Sequence, residues 1–210
     1  LEKTRFGIAT TTGMSAITMC LSLVKPGQKV LINTHIYGCT FKLFQLFAEN
    51  YHFELIVHDL TDSSLKMPEA DFVFFETPTN PFLYSISIKS ISQSFKTKNP
   101  NCIIIVDNTW ATPLYQHPCE HGADISLHSA TKYISGHSDV MGGILLLNDE
   151  VLETKLRTYR FLSGANLDPH SAWLLRRSLM TLEVRVEKQH KTTLEILAFL
   201  KERKEIEKIY

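Results

Sequence analysis

Blocks of apolar residues alternate with polar turns along the chain, and their spacing predicts a regular succession of strands and helices. Between Thr12 and Val24 apolar residues recur every three to four positions, which predicts a helix that begins at a polar, glycine-containing corner. Similar patterns predict helices at Phe41–Asn50 and Ile86–Lys96. Short apolar runs predict strands at residues 29–32, 53–57, 71–76, 102–106, 124–128 and 143–147.

Strands that alternate with helices are typical of an α/β domain with a mostly parallel central sheet flanked by helices. The wholly apolar run Cys102–Val106 predicts a central strand that is buried on both faces. Beyond residue 149 the pattern is mainly helical, with a long stretch from Pro169 to about Lys201, and residues 206–210 look like the start of a strand. Ligands of such sheets bind beyond the carboxyl ends of strands, so the residues after each strand are the candidates for chemistry.

Charge and composition are those of an ordinary globular protein. The 22 basic and 22 acidic side chains give a formal net charge of zero, which argues against a nucleic-acid binder that depends on counterion release. No apolar run approaches the ~20 residues that span a bilayer, and no signal-peptide core follows the first residues. We therefore expect a soluble cytoplasmic protein. Its cysteines are too scattered to predict a disulfide framework; they are Cys20, Cys39, Cys102 and Cys119.

Two post-strand segments carry ionisable residues. Asp107 ends the most apolar strand, where a partly desolvated carboxylate needs a cationic partner; the alternative is an acid that caps the next turn. After the strand at 124–128, Ser129 and Thr131 precede Lys132. Two hydroxyls suit an oxyanion, and a lysine shielded near a phosphate and a pyridinium becomes a nucleophile when its pKa falls. The alternative is a polar loop with a solvated lysine.

Other post-strand residues suit a planar, phosphorylated ligand. The helix that starts at Gly13 and Met14 offers unpaired N–H groups to a phosphate, unless it is an ordinary helix start without a ligand. Tyr37 follows a strand and has the ring to stack on a flat cofactor, whereas a core position is the simpler interpretation. Glu76 and Asn80 belong to a proline-rich loop that either aims a hydrogen bond or forms only a rigid turn.

The histidines and Cys39 give weaker signals. Neither His117 with His121 nor His128 with His137 has a third ligand in its own segment, so we expect no metal site. Cys39 lies two residues after Tyr37 and is either a reactive thiol or a small packing residue, because reactivity depends on its exposure and pKa.

Together these segments resemble the pyridoxal-5'-phosphate (PLP) enzymes of cysteine and methionine metabolism. That family includes methionine γ-lyase, cystathionine γ-synthase and the cystathionine β- and γ-lyases. The matching stretches cover nearly the whole chain: TTGMSAI, LVKPGQKVLI, IYGCTFKLF, FETPTNPFL, IVDNTWATP, HGADISLHSATKYISGHSDVMGG and SGANLDPHSAWLLRRSLMTLEVRVEKQ. The resemblance implies an aspartate aminotransferase-like large domain of fold type I.

The resemblance also assigns roles to residues. It implies that Lys132 forms the internal aldimine with PLP and takes the substrate's Cα proton, and that Asp107 pairs with the pyridinium nitrogen. Tyr37 corresponds to the ring that stacks on the cofactor and takes part in proton transfer. Asn80 corresponds to the amide beside the phenolic oxygen, with Glu76 in the same network.

The phosphate is expected to lie in a cradle made of two parts. The resemblance implies that the backbone N–H groups of Gly13 and Met14 form the first part. The hydroxyls of Ser129 and Thr131 form the second. The complete set therefore comprises phosphate donors, an acid for the ring, an amine and a stacking partner.

The activity implied by the resemblance is that of a PLP-dependent lyase, of the EC 4.4.1 type. Cys39, together with Ser-Gly-Ala and the later Asp-Pro-His-Ser-Ala-Trp, resembles methionine γ-lyases, which release 2-oxobutanoate, methanethiol and ammonia. Cystathionine γ-synthase or a cystathionine β- or γ-lyase is the alternative, and a catalytically incomplete PLP-binding fragment is a second alternative.

Family members are nearly twice as long as this chain. We expect residues 1–165 to form the PLP-binding large domain without its amino-terminal arm, and residues 166–210 to form a long helix leading into a truncated small domain. The first residue is not methionine, and residues 206–210 look like a strand that is only beginning, so both ends look cut. The family further implies a sulfur-containing amino-acid substrate and a homotetramer built of dimers that share active sites, with no nucleic-acid or membrane partner.

Overall fold

A computed structural model describes residues 1–209 as an α/β fold with helices on both faces of one sheet. The strands are β1 (Phe6–Thr10), β2 (Lys29–Asn33), β3 (Glu54–His58), β4 (Phe72–Glu76), β5 (Ile103–Asp107), β6 (Ile125–Ser129) and β7 (Gly143–Leu147). The helices are α1 (Gly13–Leu21), α2 (Gly38–Tyr51), α3 (Ile88–Lys98), α4 (Thr112–Tyr115), α5 (Glu150–Ser163), α6 (Pro169–Leu179) and α7 (Leu182–Lys201). A short 3₁₀ helix covers Pro118–His121.

Within residues 1–209 the sheet has seven strands in the order β1-β7-β6-β5-β4-β2-β3. The pairs from β6 to β3 are parallel, whereas β7 is antiparallel to both of its neighbours, β6 and β1. As a result β1 runs in the same direction as β6, and every strand except β7 ends at the same edge. The predicted, mostly parallel central sheet is confirmed, and the loops after β1, β2, β4, β5 and β6 meet at that edge.

Two apolar layers cover the central strands. Alternate residues of β5 point to opposite faces, so that Ile105 joins the layer under α1 and α2 while Ile104 and Val106 join the layer under α3. All five residues of β4 are buried, which agrees with its continuous apolar sequence Phe-Val-Phe-Phe followed by Glu76. This packing fixes the ends of β4 and β5 beside each other. No helix within residues 1–209 is long and apolar enough to cross a membrane.

Several boundaries differ from those predicted. Helix α1 ends at Leu21 rather than Val24. Strand β1 was not predicted, because the strand that pairs with it, β7, is far away in the sequence. The long helical stretch is broken at Met180–Thr181 into α6 and α7. Residues 206–209 form no strand in the structure, and the last residue of that predicted strand, 210, lies outside the described residues.

Candidate active site

A cleft of about 1350 Å³ opens at the edge where the parallel strands end. That volume exceeds the range of ordinary small-molecule pockets and leaves room for a cofactor together with a substrate. All of the predicted site residues except Cys39 line it; these are Gly13, Met14, Tyr37, Glu76, Asn80, Asp107, Ser129, Thr131 and Lys132. The sheet therefore brings together residues that are up to 119 positions apart in the sequence (132 minus 13).

The first turn of α1 forms one wall of the cleft. The Thr12 hydroxyl accepts a hydrogen bond from the Ser15 N–H, and the Ser15 hydroxyl accepts one from the Thr12 N–H, so the two residues form a capping box. The N–H groups of Gly13 and Met14 have no partner within residues 1–209. A Cβ atom on Gly13 would lie 2.9 Å from the Ser129 Cβ, so only glycine permits this close approach. The two free N–H groups at a helix N-terminus are suited to a phosphate.

The hydroxyls after β6 differ in their availability. The Ser129 side chain has no hydrogen-bond partner within residues 1–209, while its N–H donates to the Thr109 hydroxyl at 2.7 Å. The Thr131 hydroxyl instead accepts from the Gly142 N–H at 3.1 Å and also contacts the Gly142 carbonyl at 3.3 Å. Ser129 is thus directly available to an oxyanion, whereas Thr131 must release Gly142 before its hydroxyl donates to a ligand.

Two carboxyl groups lie side by side at the base of the cleft. Glu76 and Asp107 are paired residues of the adjacent strands β4 and β5. Burial, followed by the nearby Asp107, raises the pKa of Glu76 to about 8. Burial also raises the pKa of Asp107, although hydrogen bonds from Thr109 and the proximity of His128 oppose this shift. Neither carboxyl group forms an ion pair with a cationic side chain within residues 1–209.

Hydrogen bonds hold the two carboxyl groups in place. The Thr109 N–H donates to Asp107 Oδ1 at 2.9 Å, and the Tyr37 N–H donates to Glu76 Oε1 at 2.8 Å. The second bond fixes the start of α2 and places the Tyr37 ring, which is 48% exposed, at the cleft wall. A hydrogen-bond interaction with the Cys39 thiol raises the pKa of the Tyr37 phenol. Cys39 itself is exposed and does not line the cleft.

Lys132 follows β6 in a tight turn and extends its side chain into the cleft. The Lys132 N–H donates to the Ser129 carbonyl at 3.2 Å, and the Gly136 N–H donates back to the Lys132 carbonyl at 2.7 Å. The Lys132 amine has no hydrogen bond or ion pair within residues 1–209, and the Asn80 side chain is likewise unpaired there. Both groups are therefore available to a ligand.

One buried network near the site was not predicted. Glu2 is 2% exposed, and its Oε1 accepts hydrogen bonds from Asn108 Nδ2 at 2.7 Å and from His128 Nε2 at 2.5 Å. Burial by itself would raise the pKa of Glu2, but the bonds from His128 and Asn108 outweigh it, so the pKa is lowered. Asn108 directly follows Asp107, and its N–H donates to the Leu127 carbonyl at 2.7 Å. Glu2 thus anchors the strand end that carries Asp107.

These features fit PLP, the cofactor that the resemblance implies. A dianionic phosphate matches the free N–H groups of Gly13 and Met14 with the Ser129 hydroxyl. A protonated pyridine nitrogen supplies the cation that Asp107 and Glu76 lack, and an aldehyde matches the unpaired Lys132 amine. Within residues 1–209 no group of three or more His, Cys, Asp or Glu side chains is placed to hold a metal ion.

The raised pKa of Glu76 predicts how the stability of the cofactor-free protein depends on pH. The folded state binds this proton more tightly than the unfolded state, whose Glu pKa is near 4.5. Stability from this group is therefore complete below about pH 4.5 and is lost as pH rises to about 8. We expect the melting temperature to fall from pH 5 to 8, with Asp107 contributing in the same direction.

Thermal unfolding of the Glu76→Gln variant checks this expectation. The neutral amide removes the titration, so the slope of melting temperature against pH should flatten in the variant. Glu54→Gln replaces an exposed carboxylate on β3 and should leave the slope of the parent unchanged. An unchanged slope in Glu76→Gln would show that Glu76 is not the titrating group.

Comparison with known proteins gives a consistent result. Residues 1–210 match the family described as Cys/Met metabolism PLP-dependent enzymes. A cystathionine γ-synthase/O-acetylhomoserine (thiol)-lyase of Bacillus subtilis is 37% identical over 98% of this chain and 56% of its own length. An L-methionine γ-lyase of Fusobacterium nucleatum is 35% identical over 100% of this chain and 54% of its own.

The fold agrees with this assignment. The structure of a cystathionine γ-lyase from Micromonospora echinospora superposes with a TM-score of 0.91 at 35% identity, covering 97% of this chain and 54% of that one. The chain thus spans about half the length of the relatives it matches, and its α/β architecture is that of fold type I. The chain belongs to the PLP-dependent enzymes of cysteine and methionine metabolism.

Proposed function

We propose that the whole protein breaks the carbon–sulfur bond of a sulfur-containing amino acid, most simply by the α,γ-elimination of a methionine γ-lyase. Lys132 would hold PLP covalently until the substrate amine displaces it; this frees the lysine amine, and the PLP ring would then withdraw electrons from the substrate Cα. Residues 1–165 act as the cofactor-binding domain, and residues 166–210 lead into the domain that completes the site. The unpaired amine of Lys132 in the same cleft as the carboxyl groups of Asp107 and Glu76 is the main support for this function.

Some residues of the chain bind the cofactor, and others transfer protons. Gly13, Met14 and Ser129 bind the phosphate and fix the position of the ring. Asp107 keeps the pyridine nitrogen protonated, because a buried carboxylate beside it favours the charged form of that nitrogen. Lys132 takes the proton from the substrate Cα as a general base. Asn80 orients the ring through its phenolic oxygen, and the unpaired state of its side chain supports this role.

Tyr37 is the proposed acid for the departing thiolate. Its phenol is protonated at neutral pH even without the upward pKa shift caused by Cys39, so the hydroxyl can donate a proton to a departing thiolate. A thiolate that leaves from Cγ needs such an acid on the open side of the cleft, where the half-exposed Tyr37 ring lies. The alternative is trans-sulfuration by a cystathionine γ-synthase or cystathionine lyase, favoured by the 37% identity to the Bacillus relative.

A product assay on the PLP-loaded protein tests the proposal. The chain is incubated with PLP, reduced with borohydride and digested, and mass spectrometry locates any phosphopyridoxyl-lysine. We expect the adduct at Lys132, followed by release of 2-oxobutanoate, methanethiol and ammonia from methionine. Turnover of cystathionine in preference to methionine would favour the alternative activity. An adduct without turnover of either substrate would favour a cofactor-binding chain that is catalytically incomplete by itself, and no adduct would contradict the assignment of Lys132.

We also propose that the protein assembles as a homotetramer of dimers that share active sites. Large apolar side chains of α5 and α6 support this, since Phe161, Leu162 and Trp173 are 75%, 77% and 56% exposed. Light scattering coupled to size-exclusion chromatography tests it. A tetramer is expected, and a monomer that nevertheless forms the Lys132 adduct would show that cofactor capture is independent of assembly.

A further inference from the structure

Arg185 is a partly buried cation of α7 that faces the turn carrying Lys132. Its Nη1 donates to the Tyr133 carbonyl at 2.8 Å, and its Nη2 donates to the Ile134 carbonyl at 3.2 Å. On the opposite side Nη2 also donates to the Ser178 carbonyl at 2.9 Å. One guanidinium therefore joins the two residues that follow Lys132 to the junction between α6 and α7.

The charge of Arg185 is balanced by carbonyl dipoles rather than by an acid. It forms no salt bridge within residues 1–209, and its remaining contact is from Nε to the Thr181 hydroxyl at 3.1 Å. Burial lowers the pKa of the guanidinium. A planar fork of several donors is suited to divergent carbonyl groups, whereas a lysine ammonium presents its donors from a single atom. The arrangement thus requires arginine in particular.

Gly136 ends the same turn, and its lack of a side chain leaves room for the Arg185 guanidinium. Its φ is +69°, in the left-handed region, and a Cβ atom placed on it would lie 1.9 Å from Arg185 Nη1. Its N–H donates to the Lys132 carbonyl at 2.7 Å. The backbone from Lys132 to Gly136 is therefore fixed by the hydrogen bond between these two residues and by the hydrogen bonds that Arg185 donates to the carbonyl groups between them.

We propose that Arg185 is a positioning residue, which fixes the turn at residues 132–136 so that the Lys132 amine points at the cofactor aldehyde. This inference rests on the proposed function of Lys132 and deepens it. The first turn of α7 would then support the active site, because the Arg185 guanidinium connects this helix to the turn that carries Lys132. Displacement of an amine by about 1 Å is enough to slow a bond-forming step by up to about 100-fold.

Separate measurement of cofactor binding and covalent attachment tests the proposal. Reversible PLP binding is followed by fluorescence quenching, and attachment by the fraction of Lys132 labelled at successive times before borohydride reduction. In Arg185→Ala we expect attachment to slow by about 10- to 100-fold, while the reversible affinity per folded molecule stays within about twofold of the parent. Arg185→Lys should recover only part of the rate, since it retains the charge but not the fork of donors.

Gly136→Ala provides an independent variant that leaves Arg185 in the chain. Its methyl group should displace the guanidinium and reproduce the slow attachment. Gly136→Ala should slow attachment less in the Arg185→Ala background than in the parent, because the guanidinium that the new methyl group would contact is then absent. The matched control is Arg177→Ala on α6, whose exposed guanidinium lies 5.8 Å from the Trp173 ring centre, and it should leave both measurements unchanged.

The outcomes separate this inference from the function on which it rests. If the parent protein forms no Lys132 adduct, the proposed function fails. If the parent forms the adduct and Arg185→Ala attaches at the same rate, the positioning role alone is refuted. A parallel loss of reversible binding and attachment, in proportion to the unfolded fraction seen by circular dichroism, would reduce Arg185 to a purely structural residue and would also overturn the proposal.

Discussion

Replacement of Lys132 by alanine should abolish covalent attachment of PLP and leave the fold intact. The amine is the bond-forming group, so borohydride reduction of the variant should trap no adduct at any position. Loss of the same group as a general base should slow exchange of the substrate Cα proton by about 10²- to 10⁴-fold. The stability of the variant should change little, because the exposed Lys132 side chain makes no hydrogen bond or ion pair within residues 1–209.

The comparison variant for Lys132 is Lys89→Ala. Lys89 is an exposed residue of α3 on another part of the surface, and its removal should leave both the adduct and proton exchange at parental levels. Circular dichroism of both variants should match the parent. Trapping of PLP on a different lysine, at parental yield, in Lys132→Ala would show that the anchor has been assigned wrongly.

Asp107→Asn should change the cofactor-free and the PLP-bound protein in opposite directions. Without PLP the neutral amide avoids the cost of a buried carboxylate whose pKa is raised, so the melting temperature at pH 8 should rise. With PLP the same amide leaves the pyridine nitrogen without a counterion. We expect binding to weaken by about 2–5 kcal/mol and turnover to fall by about 10²- to 10³-fold.

Glu76→Gln is the matched variant for Asp107→Asn, because Glu76 occupies the paired position on the neighbouring strand. Both variants should stabilise the cofactor-free protein at pH 8, since burial raises the pKa of both groups. Only Asp107→Asn should lose most of the turnover. Equal losses in the two variants, measured by PLP titration and product formation, would show that the nitrogen is shared between the carboxyl groups rather than assigned to Asp107.

The positions of the strand-end residues could be predicted from the sequence because the physical rule is local. A buried apolar run places the next polar residue at the sheet edge, so Asp107 and Lys132 each follow directly from the strand before them. The fold class could be predicted for the same reason, since each strand and helix has its own periodicity. The resemblance to a family then assigned a chemical role to each residue, which spacing alone leaves open.

Residues that act through distant partners could not be predicted in this way. Glu2 lies in a charged segment before β1 that has no regular secondary structure, and its partners Asn108 and His128 are 106 and 126 positions away. Arg185 lies within a helical pattern that gives no sign of the carbonyl groups 51 and 52 positions earlier. The engagement of Thr131 with Gly142 likewise arises from the turn between β6 and β7. Such contacts exist only after the sheet has formed.

The antiparallel strand β7 has a consequence for the order of folding. It lies between β1 and β6 in the sheet. Its pairing with β1, from Phe6–Leu147 to Thr10–Gly143, connects two segments that are far apart in the sequence. Pairings of such high contact order are slow, because a long loop must close before they become favourable. Gly13 follows β1 and Ser129 ends β6, so β7 lies between the two strands that bring these residues together. We therefore expect a growing chain to bind a phosphate in this cradle only after residues 143–147 have joined the sheet.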